Sequence, residues 1–232
     1  MDGKLIKENL NQIKTKIDSC LHMKNCPSDS LKIIAVTKKQ NIDRIKECID
    51  NELFDIGENY LQEALEKQNL IKNSAIRWHF IGAVQSKKVK NMLGKFYLWH
   101  AVDHLSVLKE IEKRNSGAPQ PILIQVNIAE EQTKSGVMPD ELSDFMLKAI
   151  ELKGFSIWGL MTMPPLFESE QVSRKYFAKM RELLEKQKKL VDTREHPMNE
   201  LSMGTSQDYN LAILEGSTMI RLGEVLVGPR ES

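Results

Sequence analysis

Cysteine is scarce in this chain, and what there is does not pair. Cys20, Cys26 and Cys48 are odd in number and lack the close paired spacing of a zinc site. This excludes a disulfide framework and points to free thiols in a reducing compartment, read here as the cytoplasm. An excess of charge of one sign is also missing. Lys and Arg number 33 against 32 Asp and Glu, a formal charge of +1, so no global field gathers nucleic acid or an anionic membrane, and the expected partner is small. No apolar run approaches the roughly 20 residues that span a bilayer, and the opening "MDGKLIKENLNQIKTKIDSC" is too polar for a secretion signal. Linkers and low-complexity tracts are absent. The 232 residues are read as one domain, 1–232, an ordinary length for an α/β barrel.

What is present is a rhythm. Leu10, Ile13, Ile17 and Leu21 recur at helical spacing and predict an amphipathic N-terminal helix. Strand-like runs then alternate with helical patterns. The runs are "LKIIAV" from 31, "LFDIG" from 53, "IRWHFIG" from 76, "FYLWHAV" from 96, "PILIQVNI" from 121, "FSIWGLMT" from 155, "ELSMG" from 200 and "STMIRLG" from 217. The clearest helix covers 169–191, with Val172, Tyr176, Met180, Leu183, Leu184 and Val191 on one face. Strands alternating with helices imply right-handed crossovers and a parallel sheet. Eight such units predict a single (β/α)₈ barrel of the TIM type with an extra N-terminal helix; an open doubly wound sheet is the alternative.

Polar residues stand at or just past the downstream ends of these runs: Lys38, Asn59, His79, Asp103, Asn127, Thr162, Ser202 and Arg221. Any one of them, taken alone, reads as a helix cap or a solvated side chain. In a parallel barrel, however, these ends gather on the face where active sites are built. Strand parity places Ile34, Val36 and Lys38 on the inner side and Ile33 and Ala35 under the helices, and it directs Lys39 away. A lysine resting on apolar layers near Arg221 loses some preference for its charged form and becomes a better amine nucleophile. An anion site is expected after the seventh and eighth runs. There "SMGTSQDYNLAIL" supplies Gly204, Thr205 and Ser206, and Arg221 is followed by Gly223.

The segments "IIAVTK", "IGENYLQEA", "RWHFIGAVQSKKVK", "VDHL", "ILIQVNIAEEQTKSGV", "GLMTMPP" and "ELSMGTSQDYNLAILEGSTMIRLGEVLVG" span about residues 31–228. In that order the sequence resembles the pyridoxal phosphate homeostasis protein family, the YggS or PROSC type. The resemblance implies a barrel like the N-terminal domain of alanine racemase, with pyridoxal 5'-phosphate held as an internal aldimine on Lys38. It further implies Asn59, His79 and Met161 near the cofactor ring. Ser202, Gly204, Ser206, Thr218 and Gly223 correspond to the phosphate cradle, and Arg221 to the arginine facing the pyridine nitrogen. Thr37 and Thr205 depart from the family's Ser and Met, and "KKQN" lacks its usual proline.

An arginine at the ring nitrogen makes the cofactor a poor electron sink. The racemases of this fold draw a second acid/base group from an additional domain of a partner subunit, and none is expected here. The leading expectation is therefore a carrier that buffers or delivers the cofactor without its own turnover, with no catalytic residue and no metal. Its partners are the cofactor and pyridoxal-phosphate-dependent apo-enzymes, not nucleic acid or membrane, and its state is a monomer or weak dimer. An amino-acid racemase-like enzyme is the nearer alternative; a Schiff-base aldolase or a ligand-free scaffold are the others. The stretches 132–137 and 164–170 are candidate gates, with a solvated loop the blander reading of the first. Lys87–Lys90 is read as the outer face of a helix.

Overall fold

The structure, a computed structural model, describes residues 5–25, 27, 30–165 and 169–229. Eight parallel strands close into a barrel in sequence order: β1 Lys32–Val36, β2 Asp55–Glu58, β3 Arg77–Phe80, β4 Leu98–Val102, β5 Gln120–Gln125, β6 Phe155–Met161, β7 Glu200–Thr205 and β8 Met219–Leu222. The ring shuts where β1 pairs with β8, Ile34 opposite Arg221, while its other edge sets Val36 opposite Gly57 of β2. The helices are α1 Leu5–Met23, α2 Ile42–Asp50, α3 Leu61–Leu70, α4 Val89–Met92, α5 Leu105–Arg114, α6 Leu142–Ala149, α7 Glu170–Lys188, α8 Tyr209–Leu214 and α9 Glu224–Val227. Each strand falls on one of the eight hydrophobic runs. The expected barrel and extra helix are what the chain forms.

Two apolar layers hold it together. The larger lies between strands and helices and includes Ala35, Ile56, Trp99, Ile122, Phe177 and Ile220. The smaller fills the barrel with Ile34, Leu98, Ala101, Leu123, Met161 and Met219, with Trp158 against them. Period two sorts β1 as expected: Ile34 is inside, Ala35 and Ile33 outside. Burying one such side chain contributes about 1.5–3 kcal/mol. Helix α1 buries Ile6, Leu10, Ile13, Ile17 and Leu21 against α8 and α9, and Asn9 donates to the Leu226 carbonyl at 3.0 Å. In α7 the inner face is centred on Phe177, Met180, Leu183 and Leu184, whereas Val172 and Tyr176 are only half-buried.

Cys20 and Cys48 are free and buried; Cys26 lies outside the described residues. Burial pushes the Cys48 thiol up to about 12. A thiol reagent at neutral pH is therefore expected to modify Cys48 only as the fold opens. Labelling followed along a denaturant titration checks this, and fast native-state modification would contradict it. No helix among the described residues is long and apolar enough to cross a membrane.

Candidate functional site

Lys38 sits two residues beyond β1, in the turn that leads to α2. It is half-buried, while Lys39 beside it is exposed and adopts a left-handed backbone at φ 57°. The turn is clamped from outside the barrel. Thr37, fully buried, donates its hydroxyl to Glu58 Oε1 at 2.6 Å. The ammonium of Lys67 on α3 donates to three acceptors: the Thr37 carbonyl at 2.7 Å, Glu58 Oε1 at 2.8 Å and Glu63 Oε1 at 2.6 Å. Glu63 also accepts from the Lys39 amide at 2.6 Å. A lysine has three N–H donors, and here all of them are committed to holding the turn. Burial raises the Glu58 carboxyl above its usual value, the charge and hydrogen bond of Lys67 pulling the other way. Its Oε2 is sealed and has no partner among the described residues.

Beneath the mouth runs a line of polar side chains. Arg77 holds Asp55 with two bonds of 2.6 Å, and Asp55 Oδ1 meets His79 Nε2 at 2.9 Å. His79 Nδ1 meets His100 Nε2 at 2.9 Å, His100 Nδ1 meets Ser202 Oγ at 2.8 Å, and Arg221 Nη1 donates to Ser202 Oγ at 2.7 Å. Arg221 Nη2 donates to the Thr162 carbonyl at 2.9 Å. Burial pushes both histidines down, His100 well below its usual value. Burial acts to raise Asp55 as well, but hydrogen bonds from Arg77 and His79, with their charge, outweigh it and hold the carboxyl at about 2. A depressed carboxylate contributes stability above its unfolded value and loses it as pH falls through the folded one. We expect about 2 kcal/mol of stability to disappear between about pH 4 and pH 2 on this account. Asp55→Asn should flatten that limb of an acid-denaturation curve.

Arg221 is the unusual charge. It is buried, and burial lowers it to about 10, so at neutral pH it remains a cation. Among the described residues no carboxylate lies within ion-pair distance of it. A buried cation without an anion is costly, and its place on β8, across the barrel seam from β1, suits a ligand that brings an acceptor or negative charge. The loops after β7 and β8 meet there, the Gly223 amide donating to Ser206 Oγ at 3.3 Å.

Several expected cradle residues are placed differently. Thr218 precedes β8 and so stands at the opposite rim of the barrel; its hydroxyl donates to Glu200 Oε2 at 2.6 Å and accepts from the Leu201 amide. The "STMIRLG" run places it upstream of the strand rather than past its end. Ser202 points into the barrel, its hydroxyl engaged by His100 and Arg221. Gly204, at φ 93°, admits no Cβ because Ala212 would lie 2.7 Å away and the Tyr209 Cα 3.0 Å. It lets α8 approach β7 closely. His79 is likewise beneath the mouth, a layer removed from its surface. The structure therefore brings Lys38, Asn59, Met161, Ser206, Arg221 and Gly223 toward the mouth, sets His79 and Ser202 behind Arg221, and separates Thr218 from them.

A cavity of about 270 Å³ opens at the same face, lined by Asn59, Gly82, Ala101, Gln125, Asn127 and Met161, close to the ~300 Å³ lower bound of small-molecule sites. A Cβ on Gly82 would lie 2.2 Å from the Asn59 carbonyl, so glycine permits the ends of β2 and β3 to close up. Asn127 Nδ2 donates to the carbonyls of Glu131 at 2.7 Å and Lys134 at 3.3 Å, and Asp103 accepts from the Gly136 amide at 3.0 Å. These two strand-end residues thus organise the 129–136 loop, which forms the cavity's outer wall. Of the other candidate gate, 166–168 lie outside the described residues. Among the described residues no cluster of His, Cys, Asp or Glu is arranged to hold a metal ion. Asp55, Glu58, Lys67 and His100 were not singled out from the sequence, although Glu63 and Lys67 show the i, i+4 spacing of a helix ion pair.

The chain matches the family model described as alanine racemase, N-terminal domain, over residues 2–231. In fold it is similar to the alanine racemase of Clostridium difficile, with TM-score 0.71 at 16% identity, covering 99% of this chain and 58% of that one. The fold and site thus define an alanine-racemase-type barrel protein. Full-length relatives narrow the class. The pyridoxal phosphate homeostasis protein of Aquifex aeolicus is 34% identical over 226 residues, 97% of this chain and 98% of that protein. Its counterpart from Pseudomonas aeruginosa is 33% identical over 228 residues, with 97% and 96% coverage. PipY of Synechococcus elongatus, solved with PLP bound, superposes with TM-score 0.79 at 27% identity over 96% of this chain and all of that one. The chain belongs to the pyridoxal phosphate homeostasis protein family.

Proposed function

We propose that this chain, acting as one unit over 1–232, binds pyridoxal 5'-phosphate at the barrel mouth, attached through the Lys38 amine, and buffers or delivers it without turnover of its own. The observation that carries the reading is Arg221, a buried cation with no ion-pair partner among the described residues, one strand away from the turn that bears Lys38. When bound, the cofactor supplies an aldehyde that condenses with a primary amine, a pyridine nitrogen that accepts a hydrogen bond, and a phosphate. Lys38 offers the amine. The Lys67 clamp fixes the turn that carries it, Asn59 and Met161 wall the ring, and Ser206 and the Gly223 amide stand where the two phosphate-side loops converge.

Arg221 donates without surrendering its proton, which leaves a facing ring nitrogen neutral and weak as an electron sink. Asn59, Gln125, Asn127 and Met161 on the cavity's inner wall move no protons. Both features favour storage over carbanion chemistry. Recipients on this reading are pyridoxal-phosphate-dependent apo-enzymes, served by a monomer or weak dimer. The test is a spectrum of the purified protein with and without added pyridoxal phosphate, together with an amino-acid racemisation and decarboxylation assay. A visible band that saturates, without turnover, is expected. Turnover of about 1 per second or more, lost in Lys38→Ala, would make the protein an enzyme instead.

A further inference from the structure

The line from Arg221 to Asp55 has a fixed direction. An arginine only donates and an ionised carboxylate only accepts, so the polarity at both ends is set. His79 carries its proton on Nε2, facing Asp55 at 2.9 Å. A neutral His79 then accepts at Nδ1 from the Nε2–H of His100. His100 accepts at Nδ1 from the Ser202 hydroxyl, whose oxygen accepts from Arg221 Nη1. Every member between the ends donates once and accepts once, and one tautomer of each histidine satisfies them all. An added proton on His79 brings its Nδ1–H against His100 Nε2 and forces His100 to donate to the Ser202 oxygen, which then accepts twice and leaves the serine O–H without its acceptor in the line. Other charged groups around the line are Arg77 beyond Asp55, Lys32 paired with Glu200 at the lower rim, and Asp208 near Arg221.

We propose that Asp55, His79, His100 and Ser202 are positioning residues for Arg221, a one-directional donor chain through the barrel that locks the plane of its guanidinium beneath the mouth. That a cofactor ring is what the guanidinium addresses rests on the function proposed above; the locking itself does not. Four strands besides β8, namely β2, β3, β4 and β7, contribute side chains to the line, and the Thr162 carbonyl fixes the second nitrogen, so neither Nη of Arg221 can turn without breaking a buried bond.

Nitrogen-15 NMR of the cofactor-free protein tests the locking. Both histidines should show the neutral Nε2–H tautomer, unchanged from about pH 5 to about pH 8, where an ordinary histidine titrates. The Nη signals of Arg221 should be resolved, merge through faster rotation in Ser202→Ala, and separate again in Ser202→Thr, which restores the hydroxyl. In the cofactor-loaded protein, Ser202→Ala should shift the pH midpoint of the visible band by about half to one unit, the size one lost hydrogen bond supports, with Ser202→Thr near the parent. A titrating or Nδ1–H histidine, or Arg221 signals indifferent to the serine, overturns the proposal. Resolved and serine-dependent Arg221 signals in a protein that takes up no cofactor uphold the locking and refute the cofactor reading instead.

Discussion

Lys38→Ala is expected to abolish covalent retention of pyridoxal phosphate while leaving the fold intact. Lys38 is half-buried in a turn that Thr37, Glu58 and Lys67 clamp. Lys38 belongs to neither apolar layer, so truncation removes the amine without opening a cavity in either, and the fold is expected to persist. What remains for the cofactor is Arg221 and the Ser206–Gly223 loops. Equilibrium dialysis should show weakening of at least about 100-fold, ~2.8 kcal/mol, and the visible band should vanish at equal occupancy. Retention of that band in Lys38→Ala would move the attachment to another lysine.

Lys67→Met should give the largest loss of stability. It strands Glu58, fully buried, with only the Thr37 hydroxyl as donor, and breaking a buried pair from one side costs about 3–5 kcal/mol. The double variant Glu58→Gln/Lys67→Met removes the charge yet keeps an acceptor for Thr37, and should recover about half of that loss, about 2 kcal/mol. The pH sign is fixed by the carboxyl's raised position: a group whose folded value lies above its unfolded one favours the fold at low pH and loses that contribution as pH rises through the folded value. The deficit of Lys67→Met should therefore grow as pH rises above the usual carboxylate range in chemical-denaturation curves. Because the Thr37 carbonyl also loses one of its two donors, keeping only the Gln40 amide, the turn loosens and cofactor uptake should fall with stability. Wild-type stability in the single variant would contradict the clamp.

The barrel was legible because its evidence is periodic. Ile34 and Ala35 sort to opposite faces by period two, and Leu10, Ile13, Ile17 and Leu21 mark the inner face of α1 by period 3.6. Lys38 stood out as a candidate because an amine after a buried strand is unusual in its place. The supports were not. His100 hides inside "FYLWHAV", a run that reads as uniformly buried, and its role depends on His79 and Ser202, 21 and 102 residues away in sequence. Glu58 and Lys67 meet only because α3 folds back on β2. Thr218 misled for a related reason: a hydroxyl near a strand says nothing about which rim it occupies until the strand's ends are fixed, and Met219–Leu222 is shorter than the run that contains it.

The most direct test of the central claim is borohydride reduction of the wild-type protein loaded with pyridoxal phosphate, followed by peptide mass mapping. The account predicts one reduced pyridoxyl group, on Lys38. A label on the neighbouring Lys39, on a lysine of the 129–136 loop, or on no residue at all would contradict it.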